Sequence, residues 1–443
     1  MNKKDYSQQM NEKSFKKFMI IWSGQFLSII GSGLSAFGLS VWIFEKTGSA
    51  TPFAMSFLFN ILPRILFAPM AGSLADRKNR KVIIIFTDSV DAFLKILMAL
   101  ILLSNNMSIW MIYIFLFLSS LLSTFQGPAF SASIPMIVPK KNISRANGLS
   151  QLTFAAQNML SPIMAGALYP IVGLKGLLII DFGTYFFAIF TILFQKIPQP
   201  EIKKATSRFL KTSLKDFAFA WNYIREKKGF LSLMMAFSVL NFIANLSLIL
   251  LGPLILSNYN TAIYGVVQTF YGSAMVLGGF IASVLPNNNQ KVKSMFLLLI
   301  ISGIGLSISG MLPYWYIVAL GFFIFMLPVP YTNTLLFSLV QTKIQPEVLG
   351  RVSSLIEAIL KLVTPLAAIL AGPLADNIFE PLMSENGTLA NSIIGNLIGV
   401  GTGRGIGLIF IICGFSLVIT CIFMLLNKNV NSIEKRLPDY IEE

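Results

Sequence analysis

Four carboxylates stand in stretches that are otherwise apolar: Asp88 and Asp91 within 82–103, Asp181 within 174–195 and Glu357 within 352–374. Three cations share such stretches, Arg64, Lys95 and Lys361. An ionisable side chain in an apolar run of membrane length is costly to hold there and marks a path for ions or substrate. Asp88, Asp91 and Lys95 fall at i, i+3 and i+7, on one helix face. The chemistry open to this set is proton exchange, with Asp88 or Asp91 as the first candidates and Asp181 and Glu357 as the others. A structural Asp91–Lys95 pair is the competing reading, and Glu357 and Lys361 form an i, i+4 pair. Arg64, directly after Pro63, calls for an acid partner, for which Asp181 is a candidate. Gln25, Gln126, Gln157, Asn158, Asn241 and Asn245, with Arg64, are candidate cavity groups among apolar walls. The chain has no histidine, which removes histidine-based nucleophile systems and most zinc and haem ligation. Cys413 and Cys421 lie about 12 Å apart along a helix axis at 1.5 Å per residue, too far for a disulfide, and read as packing residues.

The elements that must hold these groups are membrane helices. Of 443 residues, 55% are hydrophobic and 12% charged, with a mean hydropathy of +0.73. A soluble domain carries about 25% charged residues, so a cytosolic enzyme is excluded. A span needs about 20 apolar residues, and twelve are predicted: 18–43, 52–75, 82–103, 109–137, 146–168, 174–195, 230–256, 262–285, 294–312, 315–341, 352–374 and 404–427. The first run is too long for a cleaved leader and reads as a retained helix. Of the 34 Lys and Arg residues, 28 fall in the tails and even-numbered connections, and only Lys46, Lys175 and Arg404 in the opposite ones. Positive connections stay inside, so both termini are expected in the cytoplasm, with the chain a multi-pass protein of the membrane. The net charge of +15 then reports orientation and contact with anionic lipid, and no nucleic-acid partner.

The one long polar stretch, 196–229, divides the spans six and six. Within it Leu210, Leu214, Phe217, Trp221 and Ile224 form one face of an amphipathic helix, expected to lie at the membrane interface. At a fixed offset, Arg145 meets Arg351, Leu149 meets Leu355, and Ala165-Gly166-Ala167-Leu168 meets Ala371-Gly372-Pro373-Leu374. The expected organisation is all-α integral membrane: a six-helix half at 1–195, a linker at 196–229, a second half at 230–427 and a tail at 428–443. A duplicated six-helix unit without a catalytic inventory is the layout of a secondary transporter.

Gly72-Ser73-Leu74-Ala75-Asp76-Arg77-Lys78-Asn79-Arg80-Lys81 resembles the loop between the second and third spans of the major facilitator superfamily, Gly-x-Leu-Ala-Asp-Arg-x-Gly-Arg-Arg/Lys. The resemblance implies a conformational latch built from Gly72, Asp76, Arg77, Arg80 and Lys81, with Gly72 at a close helix approach. Asn79 replaces a glycine, and its tolerance of positive φ is expected to preserve the turn. The equivalent region of the second half, Gly279 to Lys293, lacks the acid. Span five is similar to the drug-antiporter motif of the family at Gly148, Pro162 and Gly166, a helix-packing motif, with Gln157, Ser161 and Ala165 departing from it. Gln126-Gly127 matches a third motif whose arginine is here Ser123. With Pro139, Asn147, Gly350 and Arg351, the chain is most similar to bacterial macrolide-efflux-like exporters. What this implies is a monomeric exporter of hydrophobic or amphiphilic compounds by alternating access and proton antiport, with no cofactor and no metal. Uptake or lysolipid translocation through the same fold is the alternative. Asp88-x2-Asp91 also leaves open a membrane-embedded prenyl-transferring enzyme.

Overall fold

The computed structural model describes residues 3–195, 209–227, 229–285 and 290–440. The side chains of 3–14, Asp76, 209–217 and Lys435 lie outside that description. So do the predicted face positions Leu210, Leu214 and Phe217 of the linker helix and most of the N-terminal lysines.

Among the described residues the structure is helical throughout and has no strand. α1 (Lys3–Thr47), α2 (Ala50–Arg77), α3 (Arg80–Leu103), α4 (Ile109–Ile137) and α5 (Ile143–Leu193) precede the linker helix α6 (Phe209–Glu226). α7 (Phe230–Leu256), α8 (Thr261–Val284), α9 (Lys291–Met311), α10 (Trp315–Met326), α11 (Val329–Lys343) and α12 (Pro346–Pro373) follow it. A π-helical turn, Leu374–Phe379, extends α12 into α13 (Glu380–Met383), and α14 (Ile393–Ile398) and α15 (Arg404–Leu426) complete the apolar part. Short helices α16 (Lys428–Asn431) and α17 (Ile433–Arg436) form the tail. The chain divides into two compact units: 1–47, 55–205 and 261–269 in one, 48–54, 206–260 and 270–443 in the other.

Ten helical stretches among the described residues are long and apolar enough to cross a membrane. Two features reconcile that number with twelve passes. α3 falls short because Asp88, Asp91 and Lys95 crowd one 18-residue window, although its length is sufficient. α5 holds two passes in one element of 51 residues, interrupted at Gly173 (φ +63°, ψ −174°). Its contacts with α1 give the path. Trp22 bonds to Leu149, Ser161 to Ile30 and Tyr169 to Glu45, so the first arm runs parallel to α1. Gly24 faces Thr191, Gly31 faces Thr184 and Gly38 faces Leu177, so the second arm runs back along it. Spans five and six are therefore a helical hairpin, turned at a backbone geometry that essentially only glycine adopts.

Other expected boundaries shift for local reasons. Span ten breaks at Leu327–Pro328 into α10 and α11, because Pro328 and Pro330 remove donors from the ladder. Span eleven starts at Pro346, a favoured first-turn residue, and continues through the π turn to Met383. The linker helix forms as expected; of its described apolar positions Ile224 is buried and Trp221 is exposed. The matched Arg145 and Arg351 each lie over an aromatic ring, Phe15 and Phe219, at 5.1 and 5.7 Å.

Gly173→Ala places a Cβ where the backbone disfavours one, with nothing else within 4 Å to explain a loss. It is expected to destabilise by about 1–3 kcal/mol, read as a lower thermal midpoint in detergent, while Gly183→Ala, also in open space at ordinary φ, leaves the midpoint unchanged.

Candidate functional site

α3 presents Thr87, Asp88, Asp91 and Lys95 to an open cavity of about 540 Å³ lined by the first unit. α1 contributes Ser28 and Ser32, α2 Asn60 and Arg64, α4 Ser119, Ser120 and Gln126, and α5 Gln157 and Tyr185. Helical spacing puts Asp88, Asp91 and Lys95 on one buried stripe of α3, where they are 2, 4 and 5% exposed.

The acids have different partners. Asp88 is held by neutral donors alone: Gln25 Nε2 donates to Oδ2 and Gln126 Nε2 to Oδ1, each at 3.0 Å. The two amides are also tied together, Gln126 Nε2 to Gln25 Oε1 at 2.7 Å. Asp91 accepts from the Ser119 hydroxyl. Asp181, fully buried on the returning arm of α5, pairs with Lys95 at 3.2 Å. Ser32 Oγ lies 2.8 Å from Tyr185 OH and 3.5 Å from Asp181 Oδ1, joining α1 to the returning arm of α5.

Two expectations about pairing are corrected. Lys95 is matched by Asp181 across helices and not by Asp91 on its own helix, since the returning arm brings a carboxylate closer than one turn of α3 does. Arg64 accordingly does not have Asp181; its side chain is exposed towards the cavity, and among the described residues no carboxylate pairs with it. Glu357 belongs elsewhere. It is exposed and bonded to the exposed Lys361 at 2.6 Å, in the second unit.

Of the candidate cavity residues, Gln25 and Gln126 meet at Asp88, and Arg64, Gln126 and Gln157 line the cavity. Asn158, Asn241 and Asn245 do not; each amide donates to the carbonyl four residues back on its own helix. Ser119, Ser32 and Tyr185 were missed by sequence reasoning, which weighed only amides and charges. A serine pair, Ser119-Ser120, in an apolar run was the available signal.

The loop between α2 and α3 anchors helix ends. Arg80 donates to the carbonyls of Ala75 (3.2 Å) and Ala132 (2.8 Å), and Lys81 to those of Leu193 (2.7 Å) and Gln195 (2.8 Å). Arg77 is exposed, and the Asp76 side chain lies outside the described residues. Asn79 keeps a negative φ of −62° and caps α3, accepting from Val82 N at 3.3 Å, so the turn survives by capping and not by the expected positive φ. Gly72 and Gly148 face open space, contrary to the close approach expected at Gly72. Gly166 is a true contact: a Cβ there would come within 3.1 Å of the Gly265 Cα, next to Pro162.

Residues 21–368 match the family profile of the Major Facilitator Superfamily. The chain belongs to this superfamily. Macrolide efflux protein A of Streptococcus pyogenes is 30% identical over 374 residues, 82% of this chain and 90% of that protein. The protein of the same name from Enterococcus faecalis is 30% identical over 331 residues, 72% of this chain and 99% of its own length. Solved structures that share the fold include two transporters. One is a bacterial homologue of the human lysosomal transporter Spinster, at TM-score 0.64 and 12% identity over 95% of this chain and 97% of the other. The other is the nucleoside transporter NupG, at TM-score 0.65 and 11% identity over 93% of this chain and all of the other. As a member of the superfamily the chain is a multi-pass membrane transporter and not an enzyme.

A buried pair that loses one partner leaves an uncompensated charge, at about 3–5 kcal/mol. Asp181→Asn and Lys95→Met are each expected to lower the thermal midpoint strongly. The double variant Lys95→Met/Asp181→Leu is expected to recover most of the loss, because matched apolar replacements of a buried pair are near neutral.

Proposed function

We propose that this transporter exports hydrophobic or amphiphilic compounds of the macrolide kind by alternating access in exchange for protons. The observation that carries the reading is the charge balance around the first-unit cavity. Asp88, Asp91, Lys95 and Arg64 line it and Asp181 pairs with Lys95, so three carboxylates stand with two cations. A surplus charge on a side chain as buried as these is favoured when a proton or a bound cation balances it. Asp88 is the group free to take either, since Gln25 and Gln126 orient it without neutralising it, whereas Asp181 is committed to Lys95. A protonated amine on an apolar frame supplies the missing charge and fills apolar walls, so proton and substrate compete for one carboxylate. Competition for a single group is sufficient to couple two movements in opposite directions.

The 30% identity to two macrolide efflux proteins supports the direction and the substrate class. The bias of Lys and Arg supports cytoplasmic termini, and the cations of the loop after α2 support its role as a latch, through Arg80 and Lys81 at helix C-termini where cations are favoured. Gly72, Asp76 and Arg77 enter that latch by family resemblance. Glu357, exposed and paired with Lys361, is the weakest of the four proposed proton carriers.

In a pump-deficient bacterial host, expression is expected to raise the tolerated concentration of macrolides and other cationic amphiphiles at least about fourfold, and a protonophore to abolish the gain. Asp88→Asn is expected to remove it and Glu357→Gln to keep it. Unchanged susceptibility to every amphiphile, or full resistance in Asp88→Asn, contradicts the proposal.

A further inference from the structure

The first turn of α2 is held by a carboxylate that the transport reading does not use. Asp376 Oδ1 accepts from Ala50 N at 2.9 Å, and Oδ2 accepts from Thr51 N at 2.7 Å, Thr51 Oγ1 at 2.6 Å and Ser49 Oγ at 2.5 Å. These are the unsatisfied donors of a helix N-terminus, where a negative charge is also favoured by the helix dipole. Gly372 makes the approach possible, since a Cβ there would collide with the Thr51 backbone.

Three features set this contact apart from an ordinary cap. First, Asp376 lies in the π-helical turn Leu374–Phe379, an irregularity that occurs disproportionately at functional segments. Second, Gly372-Pro373-Leu374-Ala375-Asp376 repeats the Gly-x-Leu-Ala-Asp of Gly72-Ser73-Leu74-Ala75-Asp76, so α2 carries that sequence at its C-terminal end and is gripped by a second copy at its N-terminal end. Third, 48–54 belongs to the second compact unit with Asp376, while α2 from Met55 onward belongs to the first. Ser49 and Asp376 are half-buried, so water replaces the lost bonds on opening.

We propose that Gly372–Asp376 is a releasable latch on the first turn of α2, and that it opens and closes during the transport cycle. The proposal rests on the transport reading above and adds a second switching element to it. Charge-assisted bonds favour the closed form, and their replacement by water keeps the open form accessible. The device has two states by construction.

Hydrogen exchange of the full chain in lipid nanodiscs, without any drug, tests it at residues 48–54. The parent is expected to show two isotope populations there, slow and fast. Asp376→Ala is expected to show the fast population alone, exchanging at least about tenfold faster than the slow one. Ser49→Ala, which removes one donor and leaves the carboxylate, is expected to shift the balance part of the way. A Ser49→Cys/Asp376→Cys pair, in a background with Cys413→Ser and Cys421→Ser and joined by a short bis-methanethiosulfonate reagent, holds the two segments together without the carboxylate and is expected to lose export, which reduction of the link restores. A parent with only the slow population, unchanged by Asp376→Ala, overturns the latch. Export measured in vesicles of the same variants keeps the two claims apart. A parent that exports no amphiphile overturns the proposed function while the exchange result stands, and a linked pair that exports at the unlinked rate overturns the latch while export stands.

Discussion

Charge placed where water does not reach governs this molecule. α3 carries two carboxylates and a lysine on one buried face, and each needs a partner that its own helix does not supply. The partners come from α1, α4 and the returning arm of α5: Gln25 and Gln126 at Asp88, Ser119 at Asp91, Asp181 at Lys95. The geometry of the first unit follows from that demand. Asp181 reaches Lys95 only because α5 doubles back along α1, and it doubles back at Gly173, the one residue whose backbone lies outside the helical region. A single glycine conformation, a helical hairpin and a buried ion pair are thus steps of one causal sequence.

Much of the architecture is legible in the residues because a bilayer imposes lengths. Runs of about 20 apolar residues, the one polar linker and the internal repeat together define twelve passes in two sixes. The charged face of α3 is equally visible from i, i+3, i+7 spacing. What periodicity does not contain is which helix lies opposite. Asp91 looked the natural partner of Lys95 because it is one turn away, yet Asp181, far along the chain, holds the ammonium. Asp181 was also a candidate partner for Arg64, which instead faces the cavity. Asn158, Asn241 and Asn245 resemble cavity amides by type, but an asparagine in a helix also reaches its own backbone four residues back, and here it does. Asn79 in place of a motif glycine shows the same limit: sequence gives its tolerance of positive φ, and the fold uses its capping oxygen.

Within the cavity the division of labour is physical. An acid bound to a lysine is fixed, since losing either charge strands the other. An acid bound only by amides can gain or lose a proton without stranding a buried partner charge, which is the property an exchanger requires. Asp181 is of the first kind and Asp88 of the second. Arg64 and Tyr185 on the cavity wall supply a cation and a hydroxyl beside a largely apolar volume, a setting suited to amphiphiles with few polar groups.

The central claim is that substrate and proton compete for the Asp88 carboxylate. The most direct measurement is proton release on binding, obtained from the heat of binding of a cationic amphiphile to the detergent-purified chain in buffers of different ionisation enthalpy. The account predicts release of about one proton per molecule bound, since one surplus carboxylate exchanges one proton for one cation, and none in Asp88→Asn. Binding that releases no proton in the parent, or equal release in Asp88→Asn, contradicts it.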